Sequence, residues 1–108
     1  MIKFDEMEEK VICGFQGGEG DFHVRMQDDG LNRILRGCLA PGCSIGLHRH
    51  EASSEIIYIL SGEGKVILDG EEERLTAGDC HYCKKGSAHT LISTGEEPLC
   101  FFAVVPQQ

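Results

Sequence analysis

Short apolar or alternating runs, broken by Gly, Asp and Asn at the intervals of about 8 to 12 residues typical of sandwiches and barrels, recur along the whole chain. They predict strands over Val11–Phe15, Phe22–Gln27, Leu31–Leu39, Ile45–His50, Glu55–Leu60, Lys65–Asp69, Glu72–Leu75, Cys80–Cys83, Ala88–Ser93 and Leu99–Val105. Asp28-Asp29-Gly30 and Asp69-Gly70 offer positive-φ positions for tight hairpins, and Pro41-Gly42 is a turn dipeptide, so the strands should join mostly antiparallel. Only Phe4–Lys10 has helical character, and only enough for a turn or two.

Two runs break the alternation. Ile56-Ile57-Tyr58-Ile59-Leu60 and Leu99-Cys100-Phe101-Phe102-Ala103-Val104-Val105 are apolar on both faces, so each needs cover on two sides. In a chain this small one cover is its own interior. The other is expected to be a second subunit, giving a homodimer, with packing by the N-terminal residues as the alternative.

The 108 residues are enough for one domain, 1–108, without linker, low-complexity segment or internal repeat. The 14 glycines, roughly twice ordinary usage, suit a turn-rich all-β protein. Ten Lys and Arg against 18 Asp and Glu leave a formal net charge of −8, and no basic cluster exceeds Lys84-Lys85. Such a surface lacks the cationic footprint that nucleic acid or acidic lipid demands. No apolar run reaches the roughly 18 residues of a membrane helix, and Met1–Lys10 holds no apolar signal core, so a soluble, cytoplasmic protein is expected. In that compartment Cys13, Cys38, Cys43, Cys80, Cys83 and Cys100 read as thiols rather than a disulfide framework. Cys80-x-x-Cys83 has no second pair with which to build a zinc ribbon. The acidic run Glu71-Glu72-Glu73 reads as a solvated hairpin shoulder, and His23 and His81 as structural or surface histidines.

The candidate chemistry lies elsewhere. His48 and His50 are two apart in a predicted strand, where alternate residues share a face about 6.6 Å apart, so both imidazoles can converge on one ion. After the turn Glu51-Ala52-Ser53-Ser54, Glu55 heads an otherwise apolar strand. A carboxylate there needs a partner, because burying it unpaired costs several kcal/mol. His89 begins a later strand and is the natural fourth ligand. Each histidine alone is more often a surface or hydrogen-bonded core residue; the joint spacing is what argues for a metal.

With its glycines, that set resembles the cupin superfamily. The first cupin motif, G-x5-H-x-H-x3,4-E-x6-G, is matched by Gly42, His48, His50, Glu55 and Gly62, spanning residues 42–62. The second, G-x5-P-x-G-x2-H-x3-N, is matched over 78–93 by Gly78, Gly86 and His89, with Lys84 in place of proline and Ser93 in place of asparagine. The resemblance implies a single-domain β-barrel of jelly-roll type with a 3-His-1-Glu metal centre of His48, His50, Glu55 and His89. The two departures leave the turn geometry of the second motif open.

Three imidazoles and a carboxylate without a thiolate suit Mn, Fe, Co, Ni, Cu or Zn, and on a six-coordinate ion they leave two positions open. That arrangement suits a metal-dependent enzyme on a small organic substrate, either dioxygenase-like or a Lewis-acid isomerase or lyase. A non-catalytic small-ligand-binding or sensor protein is the alternative, and fold does not separate them. Arg33 shares strand parity with Leu31, Leu35 and Leu39, and an inward guanidinium would suit an anionic substrate.

Overall fold

The computed structural model describes every residue from Met1 to Gln108. Its strands are β1 (Lys10–Cys13), β2 (Asp21–Asp28), β3 (Asn32–Leu39), β4 (Ser44–Arg49), β5 (Glu55–Ser61), β6 (Glu63–Leu68), β7 (Glu71–Thr76), β8 (Cys80–Cys83), β9 (Ala88–Ser93) and β10 (Leu99–Pro106). Each expected strand is present, and every pairing is antiparallel. The expected end of the first strand differs. Phe15 leaves β1 to start a 3₁₀ turn over Phe15–Gly17, from which its ring stacks on Phe22 at 5.5 Å. The N-terminal helical tendency is realised as one 3₁₀ turn, Phe4–Glu6.

The strands form a six-stranded sheet in the order β1-β2-β3-β10-β5-β8 and a four-stranded sheet in the order β4-β9-β6-β7. Both sheets are open, so the architecture is two antiparallel sheets, consistent with a jelly roll, and not one continuously bonded barrel. Their inner faces share a core in which Phe22, Leu39, Ile57, Ile59, Leu99 and Phe101 of the large sheet meet Ile45, Val66, Leu75 and Leu91 of the small one. The two doubly apolar runs resolve by parity. Leu99, Phe101, Ala103 and Val105 are buried while Cys100, Phe102, Val104 and Pro106 are half-buried. On β5, Ile57 and Ile59 point inward, and Ile56, Tyr58 and Leu60 remain 39%, 44% and 45% exposed. Phe4 packs edge-on against Phe102 at 6.2 Å, with Arg36 over its ring, so the N-terminus covers part of the outer face and leaves the β5 side open.

Turn chemistry holds the register. Asp28 and Asp29 accept the backbone N–H groups of Gly30, Leu31 and Asn32, and Asp69-Gly70 joins β6 to β7 with both residues at positive φ (49° and 86°). No helix is long and apolar enough to cross a membrane.

The reading of six free thiols is corrected. Cys38 and Cys100 form a disulfide between β3 and β10, where the register sets them directly opposite with Cα atoms 4.2 Å apart. They lie 62 residues apart in sequence, so only the strand order reveals them as neighbours. Closing a loop of that length removes about 4 kcal/mol of chain entropy from the unfolded state in the loop-closure model. Cys80 and Cys83, three apart on a strand, fall on opposite faces, one exposed and one buried, and cannot share a ligand. Burial, reinforced by the nearby carboxylates of Glu55, Asp69 and Glu73, pushes the Cys83 thiol up to about 11.

Alkylation with iodoacetamide at pH 8, read by peptide mass spectrometry without reductant, should therefore modify Cys13 and Cys80 quickly and Cys83 only after unfolding, and should recover Cys38 and Cys100 as a linked pair. Rapid labelling of Cys38 in native protein would contradict the pairing.

Candidate metal centre

His48 and His89 face each other across β4 and β9 in the small sheet. Simple alternation would not put His48 inward, because Ile45, three residues earlier, already is. A register shift between Ile45 and His48 adds the missing residue, so both side chains reach the interior. Gly46 sits in that irregularity because the Phe15–Gly17 turn presses on it: a Cβ there would lie 2.1 Å from the Gln16 carbonyl oxygen. His50 lies just past β4, and the loop before β9 extends the ladder around it. Its N–H donates to Ser87 O at 2.9 Å and its carbonyl accepts from Gly86 N–H at 2.6 Å. Glu55 opens β5 in the other sheet, so the four side chains meet where the chain crosses between sheets.

Their donor atoms converge. The three Nε2 atoms form a triangle with edges of 3.1 Å (His48–His50), 3.0 Å (His50–His89) and 3.2 Å (His89–His48). Glu55 Oε1 lies 3.2 Å from His50 Nε2 and 2.9 Å from His89 Nε2. Three ring nitrogens this close cannot satisfy one another, since a nitrogen that donates has no lone pair with which to accept, and at least one edge therefore joins two donors or two acceptors. A cation at ~2.1 Å from each nitrogen, with bonds near right angles, would space them by ~3.0 Å. The donor set thus fits one divalent transition metal, and all four ligand atoms lie within 4.8 Å of one another.

The far nitrogens are anchored. His48 Nδ1–H donates to Gly46 O at 2.7 Å, His50 Nδ1 is 2.8 Å from Ser53 Oγ, and His89 Nδ1 is 3.0 Å from His81 Nε2. Burial works to raise the Glu55 pKa, but hydrogen bonds and charge from His50 and His89 overcome it and bring it down to about 2. For His48 burial dominates and lowers the pKa, against the Gly46 carbonyl; for His81 burial lowers it against the Glu73 carboxylate. Both rings are accordingly neutral at pH 7.

The cluster closes one side of a cavity of about 60 Å³ lined by Phe15, Phe22, Leu35, Ile57, Leu91, Phe101 and other apolar groups, with Gln16 and Arg33 as further polar lining. The space is roomy enough for a few water-sized groups. Arg33 stands on the lining as its parity with Leu35 and Leu39 implies, and its Nε donates to Asp28 Oδ2 at 3.4 Å. His23, by contrast, lies at the surface beside Glu9.

His81 and Glu73 are what sequence reasoning undervalued. His81 is buried on β8 and donates from Nδ1 to Glu73 Oε1 at 2.9 Å, so Glu73 is no mere solvated shoulder. The available signal was parity: in Cys80–Cys83 the inward positions are His81 and Cys83. The departures of the second motif leave its turn intact, since Ser87 N–H donates to Lys84 O at 3.0 Å. Ser93 is buried with an unpartnered Oγ, for which the structure offers no physical account.

Comparison with known proteins agrees with this picture. A family model described as the cupin domain matches residues 35–105. An oxalate-binding protein of Thermotoga maritima is 33% identical over 111 residues, covering 97% of this chain and 92% of that protein. A crystal structure of a predicted oxalate decarboxylase from Thermotoga maritima superposes with a TM-score of 0.94 at 32% identity, covering 100% of this chain and 99% of the other. KdgF from a Halomonas species, at 18% identity and a TM-score of 0.80 over 100% and 95% of the two chains, shares the fold.

The electrostatics have a measurable sign. A histidine whose folded pKa is depressed favours the native state above its unfolded value of 6.5, and that contribution is lost as pH falls through the folded value; Glu55 repeats the pattern between 4.5 and about 2. Histidine titration by NMR in metal-free protein should give midpoints below 6.5 for both His48 and His81. A midpoint at or above 6.5 for His81 would contradict a buried neutral ring.

Proposed function

The chain belongs to the cupin superfamily, and from that premise we propose that it is a one-domain jelly-roll protein that binds a small chelating dicarboxylate, oxalate being the type, at a divalent metal held by His48, His50, Glu55 and His89. The observation that carries this reading is the convergence of three imidazole Nε2 atoms and one carboxylate on the wall of an otherwise apolar cavity that Arg33 also lines. When bound, the metal supplies Lewis acidity toward oxygen donors.

The remaining work falls to the chain. Glu55 cancels one of the ion's two charges, so the centre as a whole keeps about one positive charge, and Arg33, paired with Asp28, adds guanidinium donors beside it without adding net charge. A small anion with two oxygen donors suits a positive centre with a guanidinium beside it, on a molecule whose net charge of −8 otherwise repels anions. The apolar lining excludes competing water and strengthens each polar contact to a bound anion. The relative named as an oxalate-binding protein supports this ligand class.

A second reading, conversion of the bound molecule by a dioxygenase-like or Lewis-acid isomerase or lyase reaction, is favoured by the two positions four ligands leave on a six-coordinate ion. Binding is preferred because no lining side chain outside the ligand set can exchange a proton near neutral pH.

Elemental analysis of protein purified without added metal should find about one Mn, Fe, Co, Ni, Cu or Zn per chain, and the His48→Ala/His50→Ala double variant should retain almost none. In calorimetry the loaded protein should bind oxalate and the stripped protein should not. Arg33→Ala should weaken oxalate binding about tenfold, or about 1.4 kcal/mol, with metal content unchanged. Equal oxalate affinity with and without metal would sink the proposal, whereas consumption of oxalate by loaded protein would move it to the second reading.

We also propose that the open outer face around Ile56, Tyr58, Leu60 and Tyr82 is covered by a second copy in a two-fold homodimer. Sedimentation at micromolar concentration should then give twice 11.9 kDa, and Tyr58→Glu should shift the protein toward monomer. A wild-type monomer would refute this.

A further inference from the structure

The buried imidazole of His81 is no ligand of the proposed centre, yet it touches one. Its Nε2 is 3.0 Å from His89 Nδ1, its Nδ1 is 2.9 Å from Glu73 Oε1, and its ring is inclined by 27° to that of His89. The side chain of His81 is 0% exposed, whereas that of Glu73 is 45% exposed. Glu73 sits on β7, the edge of the small sheet, and His81 on β8, the edge of the large one. The chain of contacts thus runs from solvent, across the seam between the two sheets, to a ring whose other nitrogen faces the centre.

Proton bookkeeping gives this chain a direction. A carboxylate can only accept, so His81 Nδ1 carries the hydrogen. A neutral imidazole has one N–H, so His81 Nε2 is then a bare acceptor. His89 Nδ1 is then the donor, in competition with Glu55 Oε1, which lies 2.9 Å from His89 Nε2 and draws the same hydrogen the other way. Where the Glu73–His81 pair prevails, the lone pair of His89 is left on Nε2, the atom within 3.0 to 3.2 Å of the other two ligand nitrogens. Of the other ligand histidines, His48 is steered by a backbone carbonyl, which can only accept, and His50 faces the Ser53 hydroxyl, which can donate or accept; His89 faces a partner that is likewise ambiguous but is itself fixed by a carboxylate.

We propose that Glu73 and His81 are positioning residues for the centre: together they fix the tautomer of His89 and aim its Nε2 inward, and so set the affinity of the site for a divalent cation. This deepens the metal-site reading above and rests on it for the affinity, while the tautomer itself can be read without any metal.

The test has two arms. In the first, nitrogen-15 NMR of histidine-labelled, metal-stripped wild-type protein should show His89 Nδ1 and His81 Nδ1 protonated and His81 Nε2 bare. A protonated His81 Nε2 would overturn the proposal whatever the metal does. In the second, Zn²⁺ and Co²⁺ are titrated into stripped wild type, His81→Phe, His81→Gln and Glu73→Leu. Losing an orienting partner of a ligand histidine typically costs about 10- to 100-fold in affinity, the loss expected for His81→Phe. Gln can still accept from His89 Nδ1–H and should recover most of it.

Glu73→Leu, at a half-exposed position, tests the same relay with little risk to folding and should weaken binding severalfold. A purely structural role predicts a lower melting temperature in His81→Phe with Zn²⁺ affinity within twofold of wild type, and that result would overturn the relay, as would wild-type affinity in Glu73→Leu. Wild-type protein that takes up neither ion would refute the metal site itself, with the NMR arm still deciding the tautomer.

Discussion

Three imidazole nitrogens about 3 Å apart, closed by a buried carboxylate, leave at least one pair of like groups face to face, an arrangement that repels itself unless something positive lies at its middle. The rest of the fold is organised to hold these groups together against that repulsion. Direct pairing of β4 with β9 sets His48 opposite His89, the irregularity at Gly46 turns His48 inward, the loop before β9 clasps the backbone of His50, and β5 begins at Glu55. None of these devices is local to one strand. The centre draws on both sheets, and so depends on core packing that brings Phe22 and Phe101 into a stack at 5.9 Å on the opposite wall of the same cavity.

Placing charged and polar groups inside so small a core is tolerated because their burial is graded. Glu55 and His89 are almost fully enclosed, His48 is half-buried, and Arg33 stays partly in solvent beside Asp28. Every enclosed ring nitrogen facing away from the centre has a partner within 3.0 Å, so the cost of desolvation is met locally. The apolar lining in turn gives those few polar groups a low-dielectric setting in which each weighs more than it would at the surface.

Much of this was legible in the chain. Alternation located the strands because side-chain parity is what decides burial on a half-covered sheet, and the two runs without alternation proved to have one fully buried and one partly covered face. The ligand set was legible because strand spacing and the flanking glycines restrict where His48, His50, Glu55 and His89 can lie. What stayed hidden depended on strand order. Cys38 meets Cys100 only because β10 inserts beside β3, and Glu73 meets His81 only because the edges of two sheets abut; no local pattern encodes either encounter. Phe15 likewise looked like strand, since an aromatic at the end of an apolar run gives no sign that its ring is needed one layer deeper.

The position of β10 has a consequence for how the molecule is made. It lies between β3 and β5 in the large sheet, yet it follows both in the chain. Nothing synthesised before Leu99 can therefore complete that sheet, and the inner edges of β3 and β5 wait unpaired while the nascent chain grows. Long-range pairing of this kind is slow to form and leaves strand edges open to wrong partners. Formation of the site is thus a late event tied to the arrival of the C-terminal strand, and shortening the chain by even that one strand removes the middle of a sheet rather than its margin.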